Sequence, residues 1–554
     1  MTDRLSIALA QINPTMGAIP ANIDRIRTAR AEAAARGADL VVFTELVVCG
    51  YPPEDLVLKP FFLDTIERAV TEYAADTADG GPAVLIGAPW RDGGKTHNAA
   101  LLLDGGKVAA VRFKHDLPNY GVFDEKRVFA PGPLPGPINV RGVRLGVLIC
   151  EDMWTPDAAE TLAETGAEIL IVPNGSPYEA DKLDRRLQLA VQRVTETGLP
   201  LLYVNQVGGQ DELVFDGASF ALDADRTLKA QAPSFSEHLL LTRWQRGADD
   251  VWTCAEGEVT KPAEGLAGIY EALVLGLKDY VNKNRFPGVI LGMSGGIDSA
   301  LSAAIAVDAL GPDRVHCVMM PSPYTSQDSL DDAAEAAELL GCRIDTIPIV
   351  PAMEAFDAML RPAFAGRDAD ITEENIQARA RGMTLMALSN KFGAMVLSTG
   401  NKSELSVGYS TLYGDMCGGY AILKDVYKMT VYGLCRWRNE HLPPNAKGPA
   451  GRVVPERILT KAPTAELRPD QKDQDTLPPY EVLDDILECL VELDLSIPEI
   501  VARGHAAETV NKVWRMLHLA EYKRRQAPPG VKITRRIFNR DRRYPITNGF
   551  TSVV

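Results

Sequence analysis

Short apolar runs recur along the first half of the chain, separated by polar and alanine-rich stretches. Residues 5–10 (Leu-Ser-Ile-Ala-Leu-Ala) read as a strand, and 22–36 as a helix that Gly37 closes. Further strands are predicted over 40–43, 84–87, 99–103, 145–149, 169–172 and 201–205. Residues 212–226 read as a strand and turn, and the mixed charge of 246–265 as a connection. In the second half, a helix over 266–281 leads into Val289-Ile290-Leu291, a Ser-Gly-Gly turn and an alanine-rich helix over 300–310. Strands at 314–320, 344–349 and 394–398 continue the alternation, and helices are expected over 480–493 and 506–521. The pattern predicts two α/β domains, 1–245 and 266–554, each with its site at the carboxyl ends of its strands.

Composition narrows the class of protein. A chain of 554 residues is too long for one core. Its 46% hydrophobic and 24% charged content is ordinary for a globular protein. A formal net charge of -16 argues against a general nucleic-acid binder. No apolar run has the length of a membrane span, and Met1-Thr2-Asp3-Arg4 runs toward a strand rather than forming a signal peptide. A cytoplasmic protein is therefore expected. Eight cysteines without CxxC pairs fit a reducing compartment and give no sign of a structural zinc site.

Three residues of the first half form a chemical set: Glu45 after one apolar strand, Cys150 after another, and Lys114 in the segment Arg112-Phe113-Lys114-His115-Asp116-Leu117-Pro118. A thiol attacking an amide needs a base for its proton and a cation for the oxyanion. Singly, each has a plainer role: buried small hydrophobe, helix cap, solvated charge. Together, Phe43-Thr44-Glu45-Leu46, Lys114–Pro118 and Ile149-Cys150-Glu151-Asp152-Met153-Trp154 resemble the nitrilase superfamily, and the last most resembles glutamine amidohydrolase domains. Thr44 departs from the proline frequent before that family's glutamate. The resemblance covers about residues 4–245 and implies an αββα sandwich. It also implies glutamine contacts at Tyr120, Ser176 and Lys182, with Glu125 and Glu151 supporting the lysine and the thiol.

In the second half, Gly292-Met293-Ser294-Gly295-Gly296-Ile297-Asp298-Ser299 joins a strand to a helix, a layout that points backbone N–H groups at polyphosphate. It lacks the Gly-Lys-Ser/Thr ending of a Walker loop and resembles the SGGxDS loop of the ATP pyrophosphatases. A doubly wound parallel sheet follows from that order. Arg379 and Arg381, read as facing one side of a helix, suit phosphate or carboxylate. Thr399 can reach a nucleotide, Asp298 and Glu404 are candidate Mg²⁺ ligands, and a lysine within 423–428 can meet the β- and γ-phosphates. Thr399-Gly400-Asn401-Lys402-Ser403-Glu404, Ala462–Pro469 and Lys523–Gly530 resemble the NAD synthetase family. That resemblance covers about 265–554 and places Asn375, Glu404 and Lys523 on deamido-NAD. It also makes the proline-rich 443–479 a lid over an acyl-adenylate. A glutaminase joined to an adenylating domain implies glutamine-dependent amidation of deamido-NAD(+), an internal route for ammonia, and a homo-oligomer. The alternatives are amidation of another acceptor, such as a purine nucleotide, a sensor whose chemistry has lapsed, or a plain nitrilase with an inert appendage.

Overall fold

The computed structural model describes residues 3–255 and 257–550; Met1 and Thr2, which open the segment read as running toward the first strand, lie outside them. The chain divides into two units, Met1–Ala263 and Glu264–Val554.

Unit one opens with β1 (Arg4–Gln11), α1 (Ile19–Ala35), β2 (Leu40–Val42), α2 (Pro60–Asp76), β3 (Ala83–Asp92), β4 (Lys95–Asp104) and β5 (Lys107–Phe113). Next come β6 (Ile138–Val140), β7 (Val143–Val147), α3 (Asp157–Glu164), β8 (Ile169–Asn174), α4 (Lys182–Thr197) and β9 (Leu201–Asn205). It closes with β10 (Val207–Gln210), β11 (Leu213–Asp216), β12 (Phe220–Leu222), β13 (Leu228–Gln231), β14 (His238–Arg246) and β15 (Trp252–Cys254). Two sheets result, ordered β15-β14-β1-β2-β3-β4-β5 and β13-β12-β9-β8-β7-β6, beside the hairpin β10-β11.

Side chains decide the layering. Leu5, Ile7 and Leu9 of β1 share a core with Leu145, Ile169, Ile171 and Leu202 of the other sheet. Their neighbours Ala8 and Ala10 turn to Ile23 and Ile26 of α1 and to Ile66 and Val70 of α2. On the far side, Leu170 and Val172 meet Ala158 and Leu162 of α3 and Ala190 and Val194 of α4. The order helix, sheet, sheet, helix is the αββα sandwich. Strands covered on both faces read as continuous apolar runs, which is why they stand out along the chain. Inside the stretch read as a connection, β15 pairs with β14 and buries Trp252 between the sheets. One large apolar residue among charges anchors it, too short a signal to announce a strand.

Unit two runs α5 (Gly265–Lys283), β16 (Val289–Gly292), α6 (Ile297–Leu310), β17 (Val315–Met319), α7 (Gln327–Leu340), β18 (Arg343–Thr346), α8 (Val350–Leu360) and α9 (Ile371–Phe392). Then follow β19 (Met395–Ser398), α10 (Lys402–Val407), β20 (Tyr420–Ala421), α11 (Lys428–Glu440), α12 (Glu456–Thr460) and α13 (Tyr480–Val491). Among the described residues its sheet has five strands, all parallel, in the order β18-β17-β16-β19-β20. The chain builds outward from β16 to β18, then returns to place β19 on the other side of β16. Such a reversal opens a crevice beyond the carboxyl ends of the two central strands. The loops after β16 and β19 therefore border one crevice, and they carry the Ser-Gly-Gly turn and Thr399. Apart from Asp298, every residue of α6 is buried. Ile290, Val318 and Val396 pack against Ala380 and Leu385 of α9. Among the described residues no helix is long and apolar enough to cross a membrane.

Candidate active sites

In unit one, Glu45, Lys114 and Cys150 follow strands β2, β5 and β7, and all three are buried. Lys114 Nζ donates to Glu45 Oε1 at 2.7 Å and to both oxygens of Glu125 at 2.9 Å. Asn98 Nδ2 donates to the same Glu45 oxygen at 2.8 Å, and the Gly175 N–H donates to Oε2 at 2.9 Å. Gly175 has no room for a side chain, because a Cβ there would lie 2.9 Å from the Tyr51 ring and 3.2 Å from Glu45 Oε2. Tyr51 in turn donates to Glu125 at 2.8 Å.

Cys150 begins a short 3-10 turn, Cys150–Met153, with φ +49. Asp152 fixes that turn against the lysine loop. Its Oδ1 accepts from the N–H groups of His115 and Asp116 at 2.9 and 2.8 Å, and its Oδ2 from Ile149 at 2.9 Å. Burial, reinforced by the charge of Glu45 and opposed by Lys114, pushes the Cys150 thiol well above its usual range. Burial alone would lower the Lys114 ammonium, but Glu125 and Glu45 more than offset it and raise it. Burial lifts Glu125 to about 7 against the pull of Lys114. Cys150 is thus a thiol beside Glu45 and an ammonium whose charge its two carboxyl partners favour.

Tyr120 donates to both oxygens of Glu151 at 3.0 Å, and its ring meets Phe123 edge-on at 5.5 Å. Lys182 Nζ lies 5.5 Å from the centre of the same Phe123 ring. Ser176 stands in the loop after β8, where Arg186 Nε donates to its Oγ at 3.1 Å. Asn98 and Asp152 carry no role in the sequence reading. An asparagine at the head of the apolar run of β4 is the one available signal for the first, since a polar group buried in a strand needs a partner.

In unit two, residues 292–299 line a cavity of about 320 Å³ together with Thr399, Glu404, Arg381, Lys428, Asp415, Asp473 and residues 461–467. Gly295 has φ +76, and a Cβ there would stand 2.1 Å from the Ser329 carbonyl oxygen. Only glycine lets this loop pass the start of α7. Ser299 is turned inward: its Oγ donates to the Gly296 carbonyl at 2.9 Å and lies 3.1 Å from Ser294 Oγ, bracing the loop. Lys428 Nζ donates to Asp298 at 2.5 Å and to Glu404 at 3.2 Å, and Asn401 Nδ2 donates to the second Asp298 oxygen at 2.9 Å. Burial raises Glu404 to about 7, opposed by Lys428.

Two carboxylates meeting one ammonium also suit a hard divalent cation. Mg²⁺ takes oxygen donors and commonly needs only one or two carboxylates beside substrate phosphates. Asp298 and Glu404, joined through Lys428, offer two such carboxylates at the edge of the cavity.

The remaining expectations divide. Lys428 lines the cavity, whereas Lys424 Nζ donates to the Pro528 carbonyl at 2.7 Å. Arg381 lines the cavity and Arg379 is exposed. The two do not face one side as read, because helix positions two apart lie about 200° apart around the axis. Asn375 and Lys523 do not line this cavity. Asn375 Oδ1 accepts from Thr411 Oγ1 at 2.9 Å, and Lys523 Nζ donates to the carbonyls of Gly408 and Ser410 at 2.7 and 2.6 Å, beside a wall that includes Ser410. Glu466, missed in the sequence, accepts at 2.8 Å from both Ser326 Oγ and Ser329 Oγ. Lys461 donates to Ser329 Oγ at 2.5 Å. The segment 461–467 is thereby pinned to the start of α7.

Two family models match the chain in succession, carbon-nitrogen hydrolase over residues 6–248 and NAD synthase over 269–527. A glutamine-dependent NAD(+) synthetase of Rhodobacter capsulatus is 52% identical over 548 residues, covering 99% of each chain. The chain belongs to the glutamine-dependent NAD(+) synthetases. A solved synthetase of this name from Acinetobacter baumannii, in complex with ADP, is 44% identical, with a TM-score of 0.79 over 100% of both chains. Another from Cytophaga hutchinsonii, at 22% identity, shares the fold with a TM-score of 0.83 over 99% of this chain and 98% of that one.

Proposed function

We propose that the chain hydrolyses L-glutamine in unit one and uses the ammonia in unit two to amidate deamido-NAD(+), splitting ATP into AMP and pyrophosphate. The observation that carries this reading is that one chain holds both a buried Cys150–Glu45–Lys114 set and a Ser-Gly-Gly loop at a sheet's switch point.

Glu45 takes the proton of Cys150 as its sulfur attacks the side-chain amide carbon of glutamine. Because burial keeps the thiol protonated, the thiolate forms together with the attack. Lys114 meets the oxyanion, with Glu125 holding the ammonium from behind. Ammonia leaves with the proton from Glu45, and water activated by Glu45 hydrolyses the thioester to glutamate. Lys182 and Glu151 offer opposite charges for the two ends of the amino acid, with Tyr120 and Ser176 beside them.

In unit two the nicotinate carboxylate attacks the α-phosphorus of ATP. Residues 292–299 and Thr399 face the triphosphate, the main-chain N–H groups and Lys428 balancing its charge. Asp298 and Glu404 would hold Mg²⁺, which when bound supplies charge neutralisation on the departing pyrophosphate. Asn375, Glu404 and Lys523 are assigned to deamido-NAD. Ammonia then displaces AMP from the adenylate. Segment 461–467, as one wall of the cavity, keeps water from that intermediate.

The nitrogen does not equilibrate with bulk solvent in this scheme, so an ammonium-trapping enzyme added to the assay should leave NAD(+) formation unchanged. The enzyme is cytoplasmic and homo-oligomeric in this reading. No residue of α8 is buried, and Phe356 and Met359 of α8 and Met383 of α9 are exposed large apolar side chains of the kind a second copy would cover. Sedimentation should give a multiple of the chain mass. The deciding assay supplies glutamine, ATP and deamido-NAD(+) and measures glutamate, AMP, pyrophosphate and NAD(+), expected in equal amounts. Replacing deamido-NAD(+) by xanthosine monophosphate should stop AMP release. Glutamate without AMP would overturn the reading.

A further inference from the structure

Arg186 of α4 is fully buried, and its guanidinium has no donor to spare. One terminal nitrogen donates to both oxygens of Asp216, each at 2.8 Å. The other donates to the carbonyls of Ser176 and Pro177 at 2.8 Å, and Nε donates to Ser176 Oγ at 3.1 Å. These are the five N–H bonds a guanidinium can make. Asn205 completes the grip, accepting from the Ser176 N–H at 3.0 Å and donating to its carbonyl at 3.1 Å. Ser176 is thus held by its N–H, its carbonyl and its hydroxyl at once.

Fold stability does not ask for this arrangement. Burying an ion pair costs desolvation that an apolar pair of the same volume avoids. What the pair does supply is a fixed loop after β8, with Ser176 next in the chain to Gly175, whose N–H donates to Glu45 at 2.9 Å. Glu45 touches the same loop at Gly175, but it keeps Asn98 and Lys114 as independent anchors. A slackened loop therefore misplaces the substrate more than the base.

We propose that Arg186 and Asp216 are positioning residues that set Ser176 for recognition of the amino-acid portion of glutamine. The proposal rests on unit one being a glutaminase. Lysine cannot take over at 186, since a point charge with three donors cannot reproduce the fork.

The test uses the full-length enzyme with Arg186→Lys and Asp216→Asn. A displacement of about 1 Å can cost on the order of 100-fold, so kcat/KM for glutamine should fall by about that factor, mostly through KM. NAD(+) formation from ammonium should stay within about twofold. Alkylation of Cys150 by iodoacetamide, followed by mass spectrometry, reports an intact nucleophile without substrate recognition. It should persist, while labelling by a chloroketone analogue of glutamine slows along with kcat/KM. Equal slowing of both reagents would make the pair merely structural and overturn the proposal, as would an unchanged kcat/KM. A wild-type enzyme that releases no glutamate would instead overturn the glutaminase reading and this proposal with it.

Discussion

The two sites are built on opposite plans. In unit one, Lys114 is held by two carboxylates, Glu45 has three donors, and Asp152 ties the nucleophile's turn to the lysine's loop. In unit two, Lys428 is shared between Asp298 and Glu404, and Glu466 is held by Lys461 of its own segment and by two serines at the start of α7. Covalent chemistry at a thiol rewards groups that never move, because the reacting atoms are few and preorganisation is most of the catalysis. Phosphoryl chemistry brings its own charges, so its groups must exchange one partner for another as substrate enters. A prewired site and an exchanging one should fail in different ways.

Chelation should separate them most completely. With EDTA in excess over divalent cation, AMP formation should stop while unit one still releases glutamate from glutamine; loss of both would end the contrast. Cys150→Ala should cut glutamine-driven NAD(+) formation by roughly 10⁴-fold or more, yet leave the ammonium-driven rate within about twofold. Lys428→Met should depress AMP release by on the order of 10²- to 10³-fold with either nitrogen source, since it removes a cation from the exchanging site only.

Smaller effects sharpen the distinction. Glu125 is lifted from its ordinary 4.5 to about 7 by burial, so it gains a proton as pH falls below 7. The ionised form is the one that accepts from Lys114 with both oxygens. Glutamine turnover should therefore drop about tenfold between pH 8 and 6, and Glu125→Gln should remove that inflection. For stability the sign is opposite. A carboxyl whose folded pKa is raised favours folding below 4.5, and that contribution disappears as pH rises through 7. Glu466→Gln should be mildest, shifting KM for ATP by less than about tenfold, because the ion pair it weakens is only half buried.

Much of the fold was legible because its strands are covered on both faces and announce themselves as unbroken apolar runs. The short closing strands were not. β15 holds three residues, and Trp252 is its only large apolar side chain. Glu45 and Cys150 were legible because each follows a predicted apolar strand with a residue type that chemistry needs, and Lys114 through the resemblance of its segment, since the strand β5 before it is too sparsely apolar to be read. Asn98 and Gly175, which hold Glu45, were not, since an amide and a glycine have too many other uses. The arginine pair failed for a geometric reason: spacing by two suits one face of a strand, and the segment is a helix. Arg186 and Glu466 belong to contacts between segments far apart in the chain, 30 residues to Asp216 and 137 to Ser329, and no local pattern marks such a meeting.

Gly175 carries one further consequence. It has no reactive group, yet it leaves no space between the Tyr51 ring and Glu45. A survey of random variants scored by growth would rank this position with the nucleophile, and anyone inferring mechanism from intolerance alone would credit chemistry to a hydrogen atom. What the packing requires there is emptiness, measured in tenths of an ångström.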